Sequence, residues 1–265
     1  LLNRNLARLL LPLVDEIYCV SEDDRSEILH LMPKAKVFSA GDTRYDQVLH
    51  RLSQRKPLND HLRPQYPTKT LVAGSTWPED EKVLLPAMAP FLREQRLNLI
   101  LAPHEPTKEH LNALRSQLKS LDLPYSLYSD GQSNPAGHVL IIDQVGLLAD
   151  LYSWGRLAFV GGSFRGSVHS VMEPLGSGAV TLVGPYHENN REALEFKHKE
   201  LNHNLHMVQS CRDQKEIEEA LAAAENDGDG ISTWSQLIIA QVHKKSGASH
   251  AFVTAFITKT QLAPD

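Results

Sequence analysis

The chain of 265 residues lacks the features that mark several large classes of protein. It has two cysteines, Cys19 and Cys211, which stand far apart without CxxC spacing, so we expect reduced thiols and no zinc site. No apolar run approaches the ~20 residues of a membrane span. No cluster of lysine and arginine stands out and the net charge is -5, so the basic face that a nucleic acid requires is missing.

Several enzyme motifs are missing as well. The sequence contains no G-x-G-x-x-G, no P-loop lysine, no G-x-S-x-G and no H-E-x-x-H, so the usual dinucleotide, triphosphate, hydrolase and metalloprotease sites are not indicated. The 13 histidines show no metal-ligand spacing. With 42% hydrophobic residues, however, the chain can bury one large or two modest cores.

Short apolar runs alternate with helical patterns along most of the chain, as in "TLVAGST", "LNLILAPHE", "HVLIIDQ", "RLAFVGGS" and "AVTLVGP". These runs are apolar on both faces, which predicts a Rossmann-like α/β fold: a parallel sheet with helices on both faces. We expect one long helix over 231–258 near the C-terminus. Residues 53–69 are polar and proline-containing, and we interpret them as a linker.

Polar or glycine-rich segments follow four of the predicted strands. They are Gly74-Ser75-Thr76, His104-Glu105, Gly161-Gly162-Ser163 and Gly184-Pro185. The carboxyl ends of parallel strands form the ligand crevice of an open sheet, so these segments are expected to share one rim.

The stretch from Gly161 to Glu173 has the chemistry of an anion site. Gly161 and Gly162 allow the backbone to approach a ligand, and His169 and Ser170 would lie at a helix N-terminus, which favours phosphate. Glu173, one turn further, can accept hydrogen bonds from a ribose diol. A tight structural turn with a surface histidine explains the same residues, and the sequence does not decide between the two interpretations.

The other three segments also have two interpretations each. Ser75 or Thr76 can cap the next helix or donate to a phosphate. His104 can contact a phosphate or a base edge, or be structural. Asn189 or Asn190 can cap the following helix, which explains Asn189 without a ligand, and Glu192 falls in the first turns of that helix.

The N-terminal segment has leucines on one helical face, at positions 2, 6, 9, 10 and 13. Such a helix packs on its own domain or lies on a membrane surface. The chain begins without methionine, and we expect it to be part of a longer protein.

Several of these segments, taken in order, resemble the 3-deoxy-D-manno-octulosonic acid (Kdo) transferases. They are "VFSAGDTRYDQVL", "AGSTWPEDE", "LAPHEP", "IIDQVGLLADLYSWGRLAFVGGSF", "GSVHSVMEPLGSGAVTLVGPYHENNREA" and "KKSGASHAFVTAFI". The resemblance implies a GT-B glycosyltransferase, in which two Rossmann-like domains enclose a cleft. It places 1–52 at the end of the N-terminal, acceptor-side domain and 70–265 in the donor-binding domain, with the last helix crossing back.

The same resemblance implies the function and the site. We expect the donor-binding part of an enzyme that transfers Kdo from CMP-Kdo to lipid A precursor in lipopolysaccharide biosynthesis, at the cytoplasmic side of the bacterial inner membrane. No metal or other cofactor is implied. The catalytic base is expected in the part of the N-terminal domain that this chain lacks, so the chain alone is expected to be inactive. We also expect the chain to be soluble. The implied donor-binding residues are Ser75, Thr76, His104, Gly161, Gly162, Ser163, His169, Ser170, Glu173, Asn189 and Glu192.

One departure from the family and two alternative functions remain open. The family usually has His-Asn where this chain has His169-Ser170, and the shorter serine leaves donor specificity open. The first alternative is a non-catalytic nucleotide-sugar binding or partner module. The second is a GT-B transferase or epimerase that uses a UDP-sugar.

Overall fold

The structure is a computed structural model that describes residues 6, 9–131, 136–202, 204–226 and 230–261. The strands are β1 Ile17–Cys19, β2 Val37–Ser39, β3 Thr70–Thr76, β4 Asn98–Pro103, β5 Tyr125–Leu127, β6 Val139–Ile141, β7 Leu157–Val160, β8 Val180–Val183, β9 Glu200–Asn202, β10 Leu205–His206 and β11 Val208–Ser210. The α-helices are α1 Glu22–Leu31, α2 Thr43–Ser53, α3 Pro78–Arg93, α4 Lys108–Ser120, α5 Leu148–Leu151, α6 Met172–Gly176, α7 Arg191–Phe196, α8 Gln214–Asn226, α9 Gly230–His243 and α10 Ala248–Gln261.

Seven strands form one sheet in the order β11-β8-β7-β3-β4-β6-β5, and every pairing in it is parallel. The central strands are buried on both faces: Leu71, Ile100, Leu140 and Phe159 have no exposed surface. The helices that connect successive strands flank the sheet and cover these side chains. The predicted Rossmann-like α/β fold is therefore confirmed.

The order of the strands identifies the place where a ligand would bind. The chain goes from β3 to β4 on one side, whereas β7 pairs with β3 on the other side. The connections leaving the carboxyl ends of β3 and β7 therefore run to opposite sides, and open sheets of this kind bind ligands at such a switch point. The segments after Gly74 and after Val160 meet there.

The chain divides into two compact units, Leu1–Arg51 with Gln241–Asp265, and Leu52–Ala240. The second unit contains the seven-stranded sheet. In the first unit β1 and β2 form a parallel pair, and the Tyr18 ring packs on the edge of Phe252 with centroids 5.0 Å apart. The first unit is thus built from both ends of the chain.

The prediction of one helix over 231–258 was wrong, because the structure breaks it between His243 and Ala248. Gly247 has φ +108°, a conformation that suits glycine and cannot continue a helix. The Asp46 carboxylate accepts hydrogen bonds from the N–H groups of Gly247, at 2.5 Å, and Ser249, at 2.7 Å. Although burial alone would raise it, these bonds lower the pKa of Asp46.

Two other segments bear on the sequence analysis. Residues 53–69 include short 3-10 turns at Asp60–Leu62 and Pro67–Lys69, and Leu62 is fully buried in the hydrophobic core. Of the N-terminal leucines, Leu2 lies outside the described residues, while Leu9 and Leu13 are 69% and 78% exposed. Across the described ranges, no helix combines the length and apolar character needed to cross a membrane.

Candidate functional site

Three aromatic side chains meet at the switch point. Trp77 follows β3, His104 follows β4, and His169 lies in the loop after β7. The His104 ring packs on Trp77 and on His169, with centroids 4.7 and 4.5 Å away. The Trp77 indole N–H donates to Nε2 of His169 at 3.1 Å. The structure therefore brings the predicted site residues His104 and His169 into direct contact.

Sequence analysis missed two members of this cluster. Trp77 was not assigned to the site, although it directly follows a strand that ends at the switch point. Arg165, in the glycine-rich loop, places its guanidinium carbon 3.8 Å from the centre of the Trp77 ring. This is the distance of a close cation–π contact.

A buried carboxylate holds the glycine-rich loop. Asp80, in the first turn of α3, accepts hydrogen bonds from the N–H groups of Gly162 at 2.7 Å, Phe164 at 2.9 Å and Trp77 at 2.9 Å. Burial raises the pKa of Asp80, and the three amide donors act against that rise. The glycine turn was expected to approach a phosphate, and in this structure the amide of Gly162, like that of Phe164, binds Asp80 instead.

Two positions of the glycine loop exclude a side chain, one because of β3 and one because of the loop itself. A Cβ on Gly161 would lie 2.1 Å from the carbonyl oxygen of Ser75, and one on Gly162, where φ is +80°, would lie 2.2 Å from that of Ser167. Ser75 itself has φ +53°, which is uncommon for a residue other than glycine. Backbone strain of this kind is concentrated at ligand sites, so it supports a site here.

Two predicted site residues turn their side chains inward. The Thr76 hydroxyl donates to Glu81, at 2.8 Å, and Glu81 also pairs with His110. The Ser163 hydroxyl donates to the Val160 carbonyl at 2.9 Å and is fully buried. These hydroxyl groups stabilise the ends of β3 and β7, so a ligand would meet the backbone at these two positions.

The helix cap predicted for Ser75 or Thr76 was wrong as well. The N-cap of α3 is Trp77, whose N–H is bound by the Asp80 side chain.

The loop after β8 is attached to the glycine loop through its backbone and its asparagines. Tyr186 donates its N–H to the Ser163 carbonyl and accepts from the N–H of Val168, both at 2.9 Å. The amide group of Asn189 makes two further bonds to the backbone of Val168.

Of the two asparagines predicted as the cap of α7, Asn190 makes the cap. This residue accepts from the N–H of Ala193 at 2.8 Å. Glu192, in α7, is 3% exposed. Its carboxylate is thus interior, while Asn189 lies at the surface of the loop.

Ser170 and Glu173 lie at the start of α6. The helix begins at Met172, and the Ser170 hydroxyl accepts from the N–H of that residue at 3.3 Å. Glu173 is partly exposed. Burial, and after it the negative charge of Glu173, raises the pKa of Tyr152 well above its usual value. Glu173 therefore lies near Tyr152, whose hydroxyl group approaches Gly74 of β3.

The bond between Trp77 and His169 predicts a pH dependence of stability. Because an indole N–H only donates, Nε2 of His169 must be unprotonated to accept it. Burial, and then the neighbouring His104, lowers the pKa of His169. In the unfolded chain this histidine is protonated near pH 6.5. The contribution of neutral His169 to the free energy of unfolding is therefore present above about pH 6.5 and is lost as the pH falls through the lower folded pKa.

We expect wild type to lose more stability than His169→Gln when the pH falls from about 7.5 to about 5. Glutamine keeps an oxygen that can accept from Trp77 and does not titrate, so the other histidines cancel in the comparison. The measurement is the free energy of unfolding in urea at several pH values. Parallel curves for the two proteins would contradict the assignment.

A hollow of about 750 Å³ lies away from this rim, beside the edge strand β11. Its lining includes Gln209, Arg212 and Glu216. It shares no residue with the switch point, and we assign it no ligand. Among the described residues, no group of three or more histidines, cysteines or carboxylates is arranged to hold a metal ion.

Comparison with known proteins agrees with the resemblance seen in the sequence. The 3-deoxy-D-manno-octulosonic acid transferase of Chlamydophila psittaci is 29% identical over 186 residues, which are 69% of this chain and 42% of that protein. The transferase of the same name from Chlamydia pneumoniae is 32% identical over 136 residues, 50% of this chain and 30% of that protein. This chain therefore spans less than half the length of these relatives. No protein-family model matches it.

A solved structure extends the comparison to the fold. The crystal structure of the C-terminal CMP-Kdo binding domain of WaaA from Acinetobacter baumannii is 25% identical, with a TM-score of 0.56, and it covers 77% of this chain and 98% of that domain. The GtfA/B complex, at 13% identity and a TM-score of 0.54, shows likeness of fold alone. The chain is thus similar in sequence to Kdo transferases and in fold to a C-terminal CMP-Kdo binding domain.

Proposed function

We propose that this chain is the donor-binding part of a glycosyltransferase that transfers Kdo from CMP-Kdo. The observation that carries the proposal is the likeness to a CMP-Kdo binding domain over 77% of the chain. In this chain the strand order brings β3 and β7 together, and such folds bind nucleotides at this place.

In the proposed reaction, an acceptor hydroxyl attacks the anomeric carbon of Kdo while the bond from that carbon to the CMP oxygen breaks. The hydroxyl proton passes to a base, which we place outside this chain. The nucleotide would lie against the rim of Trp77, His104 and His169, with Glu173 accepting from the ribose hydroxyls. Ser75, Ser170 and Asn189 are the remaining partly or fully exposed polar side chains of the predicted set. The scheme uses no metal or other cofactor.

The acceptor and the location are part of the proposal as well. Since the relatives are named as Kdo transferases, we propose lipid A precursor as acceptor of the whole enzyme, bound through a second domain. We also propose peripheral contact with the cytoplasmic surface of the inner membrane. The exposed leucines Leu9 and Leu13 support this contact, because apolar side chains of this kind insert at the lipid interface.

A nucleotide panel tests the donor assignment. We expect CMP to bind more tightly than UDP or ADP in isothermal titration calorimetry. We further expect Glu173→Ala to weaken CMP binding about tenfold, because a charged acceptor for the ribose is lost. The matched control is Glu188→Ala, which removes an exposed carboxylate from the neighbouring loop.

The other outcomes of the panel are equally informative. Equal binding of the three nucleotides, or none, would contradict the proposal. A preference for UDP would favour a UDP-sugar enzyme. If CMP binds and the chain neither transfers Kdo nor complements a separate acceptor domain, the non-catalytic binding module would be favoured.

A further inference from the structure

The main-chain donors of the glycine loop are largely used within the protein. Gly162 and Phe164 donate to Asp80, and three later residues of the loop donate to one carbonyl, that of Gly162. The N–H groups of Arg165, Gly166 and Ser167 donate to the Gly162 carbonyl. The N–H of Val168 donates to the Tyr186 carbonyl, and that of His169 donates to the Gly161 carbonyl. A phosphate at this rim therefore needs a donor other than these amides, whereas phosphate loops ordinarily supply amides.

Arg165 supplies a cation at this rim. Its side chain is exposed, and its guanidinium rests on the Trp77 ring at 3.8 Å. Within the described ranges, this guanidinium makes no hydrogen bond or ion pair. Its five N–H donors are consequently open to a ligand, in a geometry that matches phosphate oxygens.

The support under Arg165 is itself fixed. Trp77 is held from one side by the hydrogen bond to His169 and contacts the ring of His104. A guanidinium resting on an immobilised ring loses less conformational freedom on binding than a free arginine. The cation is thus presented at the edge of the rim before any ligand arrives.

We propose that Arg165 recognises the phosphate of the nucleotide donor and replaces the loop amides that Asp80 occupies. This inference deepens the proposed function and rests on it. The residues predicted from the sequence include two carboxylates, Glu173 and Glu192, and no cation. Since the donor is itself anionic, a positive group is needed beside them, and Arg165 provides it.

The test compares CMP with cytidine, which has the same base and ribose but no phosphate. We expect wild type to bind CMP about tenfold or more tightly than cytidine, as for a charge-assisted hydrogen-bonded contact. Arg165→Gln should bring CMP down to the affinity of cytidine and leave cytidine binding unchanged. Arg165→Lys, which keeps the charge without the fork of donors, should retain part of the difference. Arg63→Gln, at an exposed arginine in 53–69, is the control.

The possible results separate the inference from the proposed function. An unchanged CMP-to-cytidine ratio in Arg165→Gln would overturn the role of Arg165 and leave the donor proposal standing. Equal loss of both ligands would also overturn it, because stacking rather than phosphate recognition would then have been removed. If wild type binds neither ligand, the proposed function fails and the inference fails with it. Circular dichroism of the variants verifies that each is folded.

Discussion

Gly161→Ala is expected to destabilise the protein by about 3 kcal/mol and to abolish nucleotide binding. The new Cβ would lie 2.1 Å from the Ser75 carbonyl oxygen and 2.6 Å from the Thr76 Cα, and both are backbone atoms that cannot rotate away. The ends of β3 and β7 cannot separate easily, because the Gly161 N–H donates to the Gly74 carbonyl at 2.9 Å. Urea unfolding and calorimetry with CMP measure the two effects.

Gly166→Ala is the matched control in the same loop. No heavy atom lies within 4 Å of a Cβ built there, so this variant should stay within about 0.5 kcal/mol of wild type and bind CMP normally. Similar losses in both variants would mean that the loop tolerates no side chain anywhere, and the argument from close approach at Gly161 would be wrong.

Asp80→Ala is expected to have an effect of similar size, about 3 kcal/mol, because it leaves one buried and two partly buried amide donors without their acceptor. The bonds from Gly162, Phe164 and Trp77 connect α3 to the glycine loop, 82 residues further along the chain for Gly162. Without them the loop would lose its position, and CMP binding should weaken strongly. Asp80→Asn should fall between wild type and alanine, since one carbonyl oxygen remains.

The control for Asp80 is its exposed neighbour Glu79. Glu79→Ala removes a first-turn carboxylate that interacts favourably with the helix dipole. The free energy of unfolding should therefore fall by only about 0.5 kcal/mol. If Asp80→Ala behaved like Glu79→Ala, Asp80 would act only through the helix dipole and would not hold the loop.

The sequence predicts the central sheet well because its signal is local. The runs around β3 and β7 are apolar on both faces and end in glycine, so the strands, their parallel arrangement and the shared rim follow from the pattern. The contact of His104 with His169 agrees with that prediction. That these residues bind the donor remains a prediction.

The contacts that shape the site join residues far apart in the sequence, so a local pattern does not predict them. Glu79, Asp80 and Glu81 look alike as first-turn acids, yet the direction of the helix turns Asp80 toward the glycine loop and Glu81 toward His110. The role of Trp77 likewise depends on His104, His169 and Arg165, which follow other strands. The break in the C-terminal helix had a local signal, the polar segment 243–247 that ends in glycine, and this signal was missed. Asp46, which binds the break, lies 201 residues from Gly247.

The unit made from both ends of the chain has a consequence for synthesis on the ribosome. Residues 1–51 leave the ribosome before residues 52–240, but their partners Gly247, Ser249 and Phe252 are translated only after them. Domains generally fold as units, so the central unit can fold while the first segment waits, with Tyr18 and the Asp46 carboxylate still facing water. In a nascent chain, residues 52–240 should therefore become protease-resistant before residues 1–51, which reverses the usual vectorial order.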